Sequence, residues 1–127
     1  MPIPKISESE WEIMKIIWEG NPITSEKIIA SLHDRVSWTE QTIKTFINRL
    51  VKKGAVGFEK SGRRYQYYPL ISKEECIKEE SKSFFNRVFN GGFSMMVSNF
   101  LEEIHLSNEE IDELKRILEE KKSGNNK

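Results

Sequence analysis

The hydrophobic pattern of this chain changes its period at Gly54, and this change limits the possible folds more than any other feature. Before Gly54, apolar residues recur every three to four positions, as they do on the buried face of an α-helix. From Val56 to Leu70 they alternate with other residues, as in β-strands, and Lys60–Arg63 interrupts the alternation with a glycine-containing turn. The pattern therefore predicts several helices followed directly by a β-hairpin.

Three helices are predicted before Gly54, because three segments have suitable residues at their ends. The first helix starts after Ser7, the second after Thr24 and the third after Thr39, and each of these hydroxyl side chains is a suitable N-cap. The first helix ends at Gly20, and Gly54 follows the C-terminus of the third. Three short helices followed by a hairpin is the order of elements in a winged helix-turn-helix domain.

The third predicted helix has one apolar side and one polar side. Its apolar side is formed by residues at helical spacing, namely Ile43, Phe46, Ile47, Leu50 and Val51. The polar side carries hydroxyls, amides and cations, which are the groups that reach base edges and phosphates in DNA. An ordinary amphipathic helix with a solvated polar side would show the same pattern. The neighbouring elements and their charges must therefore distinguish a DNA-binding helix from an ordinary one. The predicted DNA contacts of this helix are Gln41, Thr42, Lys44, Thr45, Asn48, Arg49 and Lys52.

The distribution of charge favours DNA binding, although the formal net charge of the chain is zero. From Arg35 to Arg64 there are 8 cations and 2 acidic residues, whereas residues 71–127 carry 9 cations and 12 acidic residues. A local basic segment matters more than net charge, because the footprint of a nucleic acid is local. At the predicted hairpin turn, three cations are expected to meet phosphates: Lys60, Arg63 and Arg64.

The second half of the chain predicts three further amphipathic helices. One begins after Ser72 and continues to Asn90, the next begins at Phe93, and the last begins after Ser107 and frays from Ser123. Their apolar sides could fold back on the first half or meet a second copy of the chain. The second arrangement is favoured, because a two-fold dimer supplies a second DNA half-site. The predicted dimer contacts are Phe93, Val97, Phe100, Leu101, Ile111, Leu114 and Leu118.

The predicted fold class is therefore mostly α with a small β-hairpin, divided into two domains. Residues 1–71 are predicted to form a winged-helix DNA-binding domain, and residues 72–127 a helical dimerisation domain. The N-terminus has no apolar segment typical of a signal peptide, and no later stretch is apolar enough to span a membrane. We therefore expect a cytoplasmic protein without membrane insertion.

The sequence lacks the common motifs of catalytic, phosphate-binding and metal-binding sites. There is no phosphate-binding glycine loop, no HExxH and no CxxC, and His33 and His105 stand alone. The one cysteine, Cys76, has acidic neighbours that disfavour a reactive thiolate, so it is interpreted as a packing residue. We expect no enzymatic activity, no catalytic residue, no metal and no cofactor.

Taken together, several segments resemble the penicillinase and methicillin-resistance repressors, and the resemblance covers nearly the whole chain. The matching residues of the first half are Glu10–Met14, Ile16–Trp18, Trp38, Thr42–Thr45, Asn48–Leu50 and Lys52–Gly54. Those of the second half are Gly91–Phe93, Val97–Phe100 and Glu109–Leu114.

This resemblance implies a homodimeric winged-helix repressor that binds a double-stranded DNA operator with two half-sites and controls β-lactam resistance genes. It also implies a partner, a membrane-bound β-lactam sensor with a metalloprotease domain, which triggers cleavage of the repressor at an Asn-Phe bond. The bond Asn99–Phe100 stands at the matching place.

Two alternatives to this function remain open. A copper-responsive branch of the same superfamily carries Cys-x-Cys pairs near its C-terminus, where this chain has Gly124-Asn125-Asn126, so that branch is disfavoured. A winged-helix adaptor that docks other proteins is the alternative from a different class, and the neutral net charge is its only support.

Overall fold

The computed structural model describes residues 3–125, and it confirms a mostly helical chain with a small β-sheet. The elements in chain order are α1 (Glu8–Glu19), β1 (Ile23–Thr24), α2 (Ser25–Leu32), α3 (Glu40–Lys52), β2 (Val56–Ser61), β3 (Arg64–Pro69), α4 (Lys73–Phe84), a π-helical turn (Phe85–Phe89), α5 (Phe93–Glu103) and α6 (Asn108–Asn125).

The first three helices begin at the predicted residues, because local hydrogen bonds satisfy their free backbone N–H groups. At α1, the Glu10 N–H donates to Ser7 Oγ at 3.2 Å, and the Ser7 N–H donates to Glu10 Oε1 at 2.8 Å, which is a complete capping box. At α3, the Thr42 N–H donates to Thr39 Oγ1 at 3.1 Å. Gly54 follows α3 with a φ of 81°, a conformation that favours glycine.

The predicted hairpin is present, but it is part of a three-stranded antiparallel sheet in the order β1-β3-β2. The hairpin turn consists of Gly62 and Arg63, and Gly62 has a φ of 66°, as the first residue of a tight hairpin turn requires. Lys60 and Ser61 were predicted in the turn and instead belong to β2. Sequence analysis missed β1, because a strand of two residues is too short to produce an alternating pattern.

A single hydrophobic core joins the helices α1–α3 to the start of β2. Its buried residues are Ile6, Ile13, Met14, Ile16, Ile17, Ile28, Leu32, Ile43, Ile47, Leu50, Ala55 and Val56. Three of the five predicted apolar residues of α3 are buried in it, while Phe46 and Val51 are half-buried at its margin. Burying a large aliphatic side chain stabilises a fold by about 1.5–3 kcal/mol, so the core holds α3 firmly in one orientation.

The chain divides into two compact units, with the boundary between Lys82 and Ser83, inside α4. The domain boundary predicted between residues 71 and 72 stays a prediction; it lies just before α4, where the Glu75 N–H donates to Ser72 Oγ at 3.1 Å.

Helical geometry in the second unit departs from the prediction at two places. The helix predicted to end at Asn90 changes to a π-helical turn over Phe85–Phe89 before it stops. The fraying predicted from Ser123 is wrong for Ser123–Asn125, which continue α6; residues 126 and 127 lie outside the described residues. Among the helices between residues 3 and 125, none is long and apolar enough to cross a membrane.

Candidate nucleic-acid interface

The side of α3 that faces away from the core carries a row of polar residues. With 3.6 residues per turn, the row lies opposite the three buried residues Ile43, Ile47 and Leu50. All members of the row are exposed except Thr45, which is half-buried. We call these four residues the polar row of α3: Gln41, Thr45, Asn48 and Lys52.

The two flanks of the polar row carry different predicted DNA contacts. Lys44 is exposed on the flank that also carries Val51, while Thr42 and Arg49 lie on the other flank. The Arg49 guanidinium lies 5.7 Å from the centre of the Phe46 ring, and that ring packs edge-to-face against Trp38 at 5.1 Å. The aromatic pair therefore restricts the orientation of the guanidinium beside the polar row.

Two predicted contact residues already use their hydroxyl groups inside the helix. Thr45 Oγ1 donates to the Gln41 carbonyl at 2.9 Å, and Thr42 Oγ1 shares a hydrogen bond of 2.9 Å with Thr39 Oγ1. Both side chains are half-buried. A DNA contact from Thr45 would therefore use its acceptor lone pairs or its methyl group rather than its proton.

The three cations of the hairpin are exposed, but they do not lie on one surface. Lys60 pairs with Tyr65 across the hairpin, while Arg64 pairs with Ser61. Because successive strand residues point to opposite faces, Lys60 and Arg64 lie on opposite sides of the hairpin. Arg63 is at the turn. The structure thus brings Lys60 to the face shared with the aromatic residues and places Arg64 on the face shared with Glu59.

The face of the hairpin that carries Lys60 is aromatic, a feature that sequence analysis missed. Phe58 packs edge-to-face on Tyr65 at 5.4 Å and lies 6.4 Å from Tyr67, yet Phe58 and Tyr65 remain 49% and 46% exposed. These three rings, together with Asn48 and Val51 of α3, line a crevice of about 140 Å³. We call it the aromatic crevice. The signal was available in the alternation of the two strands, which places all three rings on one face.

An ion pair that sequence analysis also missed joins the end of α3 to the start of α1. Lys53 Nζ donates to Glu10 Oε1 and, at 2.8 Å, to the Lys5 carbonyl. The Glu10 side chain is buried, and its second oxygen, Oε2, has no hydrogen-bond partner among residues 3–125. Burial alone would raise the pKa of Glu10, but hydrogen bonds from Lys53 and Ser7 outweigh it and lower the pKa. Lys53 is thus engaged within the fold, whereas the neighbouring Lys52 is exposed in the polar row.

Cys76 has the character of a packing residue, as predicted. Its side chain is buried, and burial together with Glu75 raises the pKa of the thiol to about 11. Within residues 3–125, no group of three or more His, Cys, Asp or Glu side chains is arranged to hold a metal ion.

In the second unit, most of the predicted dimer contacts are exposed apolar residues. These exposed residues are Phe93, Phe100, Leu101, Ile111, Leu114 and Leu118, and Val97 is half-buried. The predicted cleavage bond lies within α5, where Asn99 is exposed and the Phe100 ring stacks on Phe84 at 6.4 Å with an angle of 15° between the rings.

The three core-packed helices, the small antiparallel sheet and the hairpin beside an exposed polar helix define a winged helix-turn-helix protein. The model of the penicillinase repressor family matches residues 6–120. The chain therefore belongs to the penicillinase repressor family, as its sequence predicted.

Relatives of this chain match it over almost their full lengths. A penicillinase repressor of Bacillus licheniformis is 46% identical over 121 residues, which cover 95% of this chain and 94% of the relative. The methicillin resistance regulatory protein MecI of Staphylococcus aureus strain N315 is 40% identical, covering 92% and 95% of the two chains. This chain is also similar to the protein in the solution structure of monomeric Bacillus licheniformis BlaI in complex with the blaP half-operator. The two chains are 39% identical in sequence and superpose with a TM-score of 0.52, and the match covers 58% of this chain and 90% of that one.

Proposed function

We propose that this protein represses β-lactam resistance genes by binding, as a homodimer, an operator made of two half-sites. The observation that carries the proposal is the polar row of α3, which is exposed except at Thr45, fixed by the core beneath it and flanked by the hairpin. The relative from Bacillus licheniformis, solved with a half-operator, supports a double-stranded DNA ligand for this fold.

In this proposal α3 lies in the major groove. Gln41 and Asn48 carry amides that suit bidentate contact with adenine, and Lys44 and Arg49 carry donors that suit guanine. Thr42 and Thr45 add short contacts at the same surface. The cations expected on phosphates are Lys52, Lys60, Arg63 and Arg64.

The proposal is tested by measuring the affinity of the full-length protein for duplexes that it selects from a random pool. Affinity should fall steeply with salt, because each neutralised phosphate adds about 0.9 to the log–log slope. Gln41→Ala should cost about 1–3 kcal/mol and relax specificity at one position, with an unchanged slope. Arg63→Ala should weaken all sequences alike and reduce the slope by about 1. The same uniform loss in both variants would contradict this division of roles.

The two alternatives give different results in the same experiment. A protein–protein adaptor would show no sequence preference among duplexes and little salt dependence. A copper-responsive repressor would release the selected duplex when cuprous ion is added. The proposed repressor binds with and without that ion, because its one cysteine is the buried Cys76.

We propose that the apolar sides of α5 and α6 form the dimer contact. Phe93, Leu101 and Leu114 are exposed, and large exposed apolar patches are typical of interaction surfaces. A second copy offers the same patch, so a two-fold contact would cover both at once.

We further propose that a membrane-bound β-lactam sensor protease is a partner and that repression ends when the Asn99–Phe100 bond is cut. The support is the position of this bond within α5, which carries four of the proposed dimer contacts. A cut there would remove Phe100, Leu101 and all of α6 from the DNA-binding half.

A further inference from the structure

We propose that the aromatic crevice binds the sugar-phosphate strand of DNA that runs between α3 and the hairpin, with the rings against deoxyribose. This inference rests on the proposed DNA binding and extends it to a surface formed mainly by aromatic rings beside the proposed base-reading residue Asn48. The crevice is lined by Asn48 and Val51 of α3 and by Phe58, Tyr65 and Tyr67 of the hairpin.

The position of the crevice determines which part of a duplex can reach it. A sugar-phosphate strand borders each side of the major groove. If α3 occupies that groove, an element beside α3 that also touches DNA must lie across one of these strands. The crevice lies between the two elements and shares Asn48 with the polar row, so it is continuous with the proposed base-reading surface.

The chemistry of the crevice matches that strand, which alternates an anionic phosphate with a sugar that has apolar C–H faces. Phe58 and Tyr65 present aromatic rings that are about half-exposed. Lys60 lies on the same face of the hairpin, and Lys44 lies on the flank of α3 that carries Val51. The acidic residue of the hairpin, Glu59, lies on the opposite face. Cations at the rim and rings inside therefore suit phosphates on either side of a sugar.

Packing supplies a second argument for an occupant. Phe58 and Tyr65 contact each other edge-to-face at 5.4 Å, so their exposed surfaces form one patch rather than two scattered residues. A contiguous apolar patch beside a polar binding surface is typical of an interaction site. Lys44 and Lys60 beside this patch favour a polyanion as its occupant, while burial, Tyr65 and Glu26 raise the pKa of Tyr67, which is less exposed than the other two rings.

The inference is tested by hydroxyl-radical footprinting of the full-length protein on a duplex that the wild type has selected. Hydroxyl radicals attack deoxyribose, so this method reports whether a sugar is covered. Wild type should protect a few sugars on one strand beside the bases contacted by α3. Tyr65→Ser and Phe58→Leu should lose this protection and bind about tenfold more weakly, with an unchanged salt slope because no charge is removed.

The matched control is Tyr68→Ser, the same chemical change on the opposite face of the same strand. Its footprint should equal that of the wild type, and thermal unfolding of each variant shows that the hairpin is folded. Phe58→Leu keeps an apolar side chain in the strand, so it tests the ring if Tyr65→Ser does not fold.

Three outcomes would overturn the inference. If both variants bind with wild-type affinity and protect the same sugars, the rings only stabilise the hairpin. A change in oligomeric state of Tyr65→Ser without DNA, with an intact footprint, would assign the patch to contact between copies. No selective duplex binding by the wild type would instead remove the proposed function itself.

Discussion

Lys52 and Lys53 are adjacent at the end of α3, yet their ammonium groups have different surroundings. Lys52 ends the exposed polar row, whereas Lys53 Nζ is bound to Glu10 and to the Lys5 carbonyl. Sequence analysis predicted Lys52 to contact DNA and did not include Lys53. The partner of Lys53 was not predictable from the pattern, because Glu10 lies 43 residues away in sequence.

Replacing each of the two lysines by methionine should separate stability from DNA binding. Lys53→Met leaves the buried Glu10 carboxylate without its cation and should lower the free energy of unfolding. The loss should be less than the roughly 3–5 kcal/mol seen when a fully buried pair loses one partner, because Lys53 is partly exposed. Lys52→Met should leave stability unchanged and reduce the salt slope of DNA binding by about 0.9. Urea unfolding and salt titrations measure both quantities; a reduced slope in Lys53→Met would show that Lys53 contacts DNA.

Glu10 should also make stability depend on pH. Its pKa in the folded protein lies below the usual value of 4.5, so the folded state favours the ionised carboxylate more than the unfolded state does. The resulting stabilisation is present above the unfolded pKa and is lost as pH falls through the folded pKa. The free energy of unfolding of the wild type should therefore fall more between about pH 6 and about pH 3 than that of Glu10→Gln. Parallel curves for the two proteins would contradict this prediction.

At the scale of elements, the N-cap residues of the helices were the most informative part of the sequence. Ser7, Thr24 and Thr39 all cap the helices they were predicted to cap, because capping depends only on residues within one turn. The pairing of β1 with β3 and the π-helical turn at Phe85–Phe89 were not predicted. Both depend on contacts with other parts of the fold. Such contacts do not produce a hydrophobic period in a short segment.

The proposed dimer is a property of α5 and α6, and one substitution in α5 should disrupt it. Leu101 is half-exposed, and an aspartate at this position would place an unpaired carboxylate in the proposed apolar contact. Leu101→Asp should therefore shift the protein from dimer to monomer in sedimentation experiments at micromolar concentration. Glu102→Asp, a neighbouring change that keeps its charge, is the control and should remain dimeric. A wild-type protein that is monomeric at high micromolar concentration would exclude the proposed contact.

On the scale of the whole molecule, the proposed cleavage would release DNA without altering the surface proposed to read it. A cut after Asn99 leaves the polar row and the hairpin intact but separates Phe100 from the Phe84 ring on which it stacks. A protease acts on extended backbone, so α5 must open locally before the bond is cut, and this contact opposes the opening.

The expected consequence of the cut is loss of linkage between two DNA-binding halves. Two linked halves bind a two-half-site operator more tightly than one by up to about 10²–10⁴, and cleavage should forfeit this factor while affinity for a single half-site stays the same. Mass spectrometry of β-lactam-induced cells carrying a sensor should find fragments 1–99 and 100–127. Asn99→Ala should stay intact and keep its promoter repressed, whereas the neighbouring Ser98→Ala should be cut like the wild type. Intact repressor on an induced promoter, or full induction of Asn99→Ala by a cut elsewhere, would exclude this mechanism, because the switch would then act at a different bond or without proteolysis.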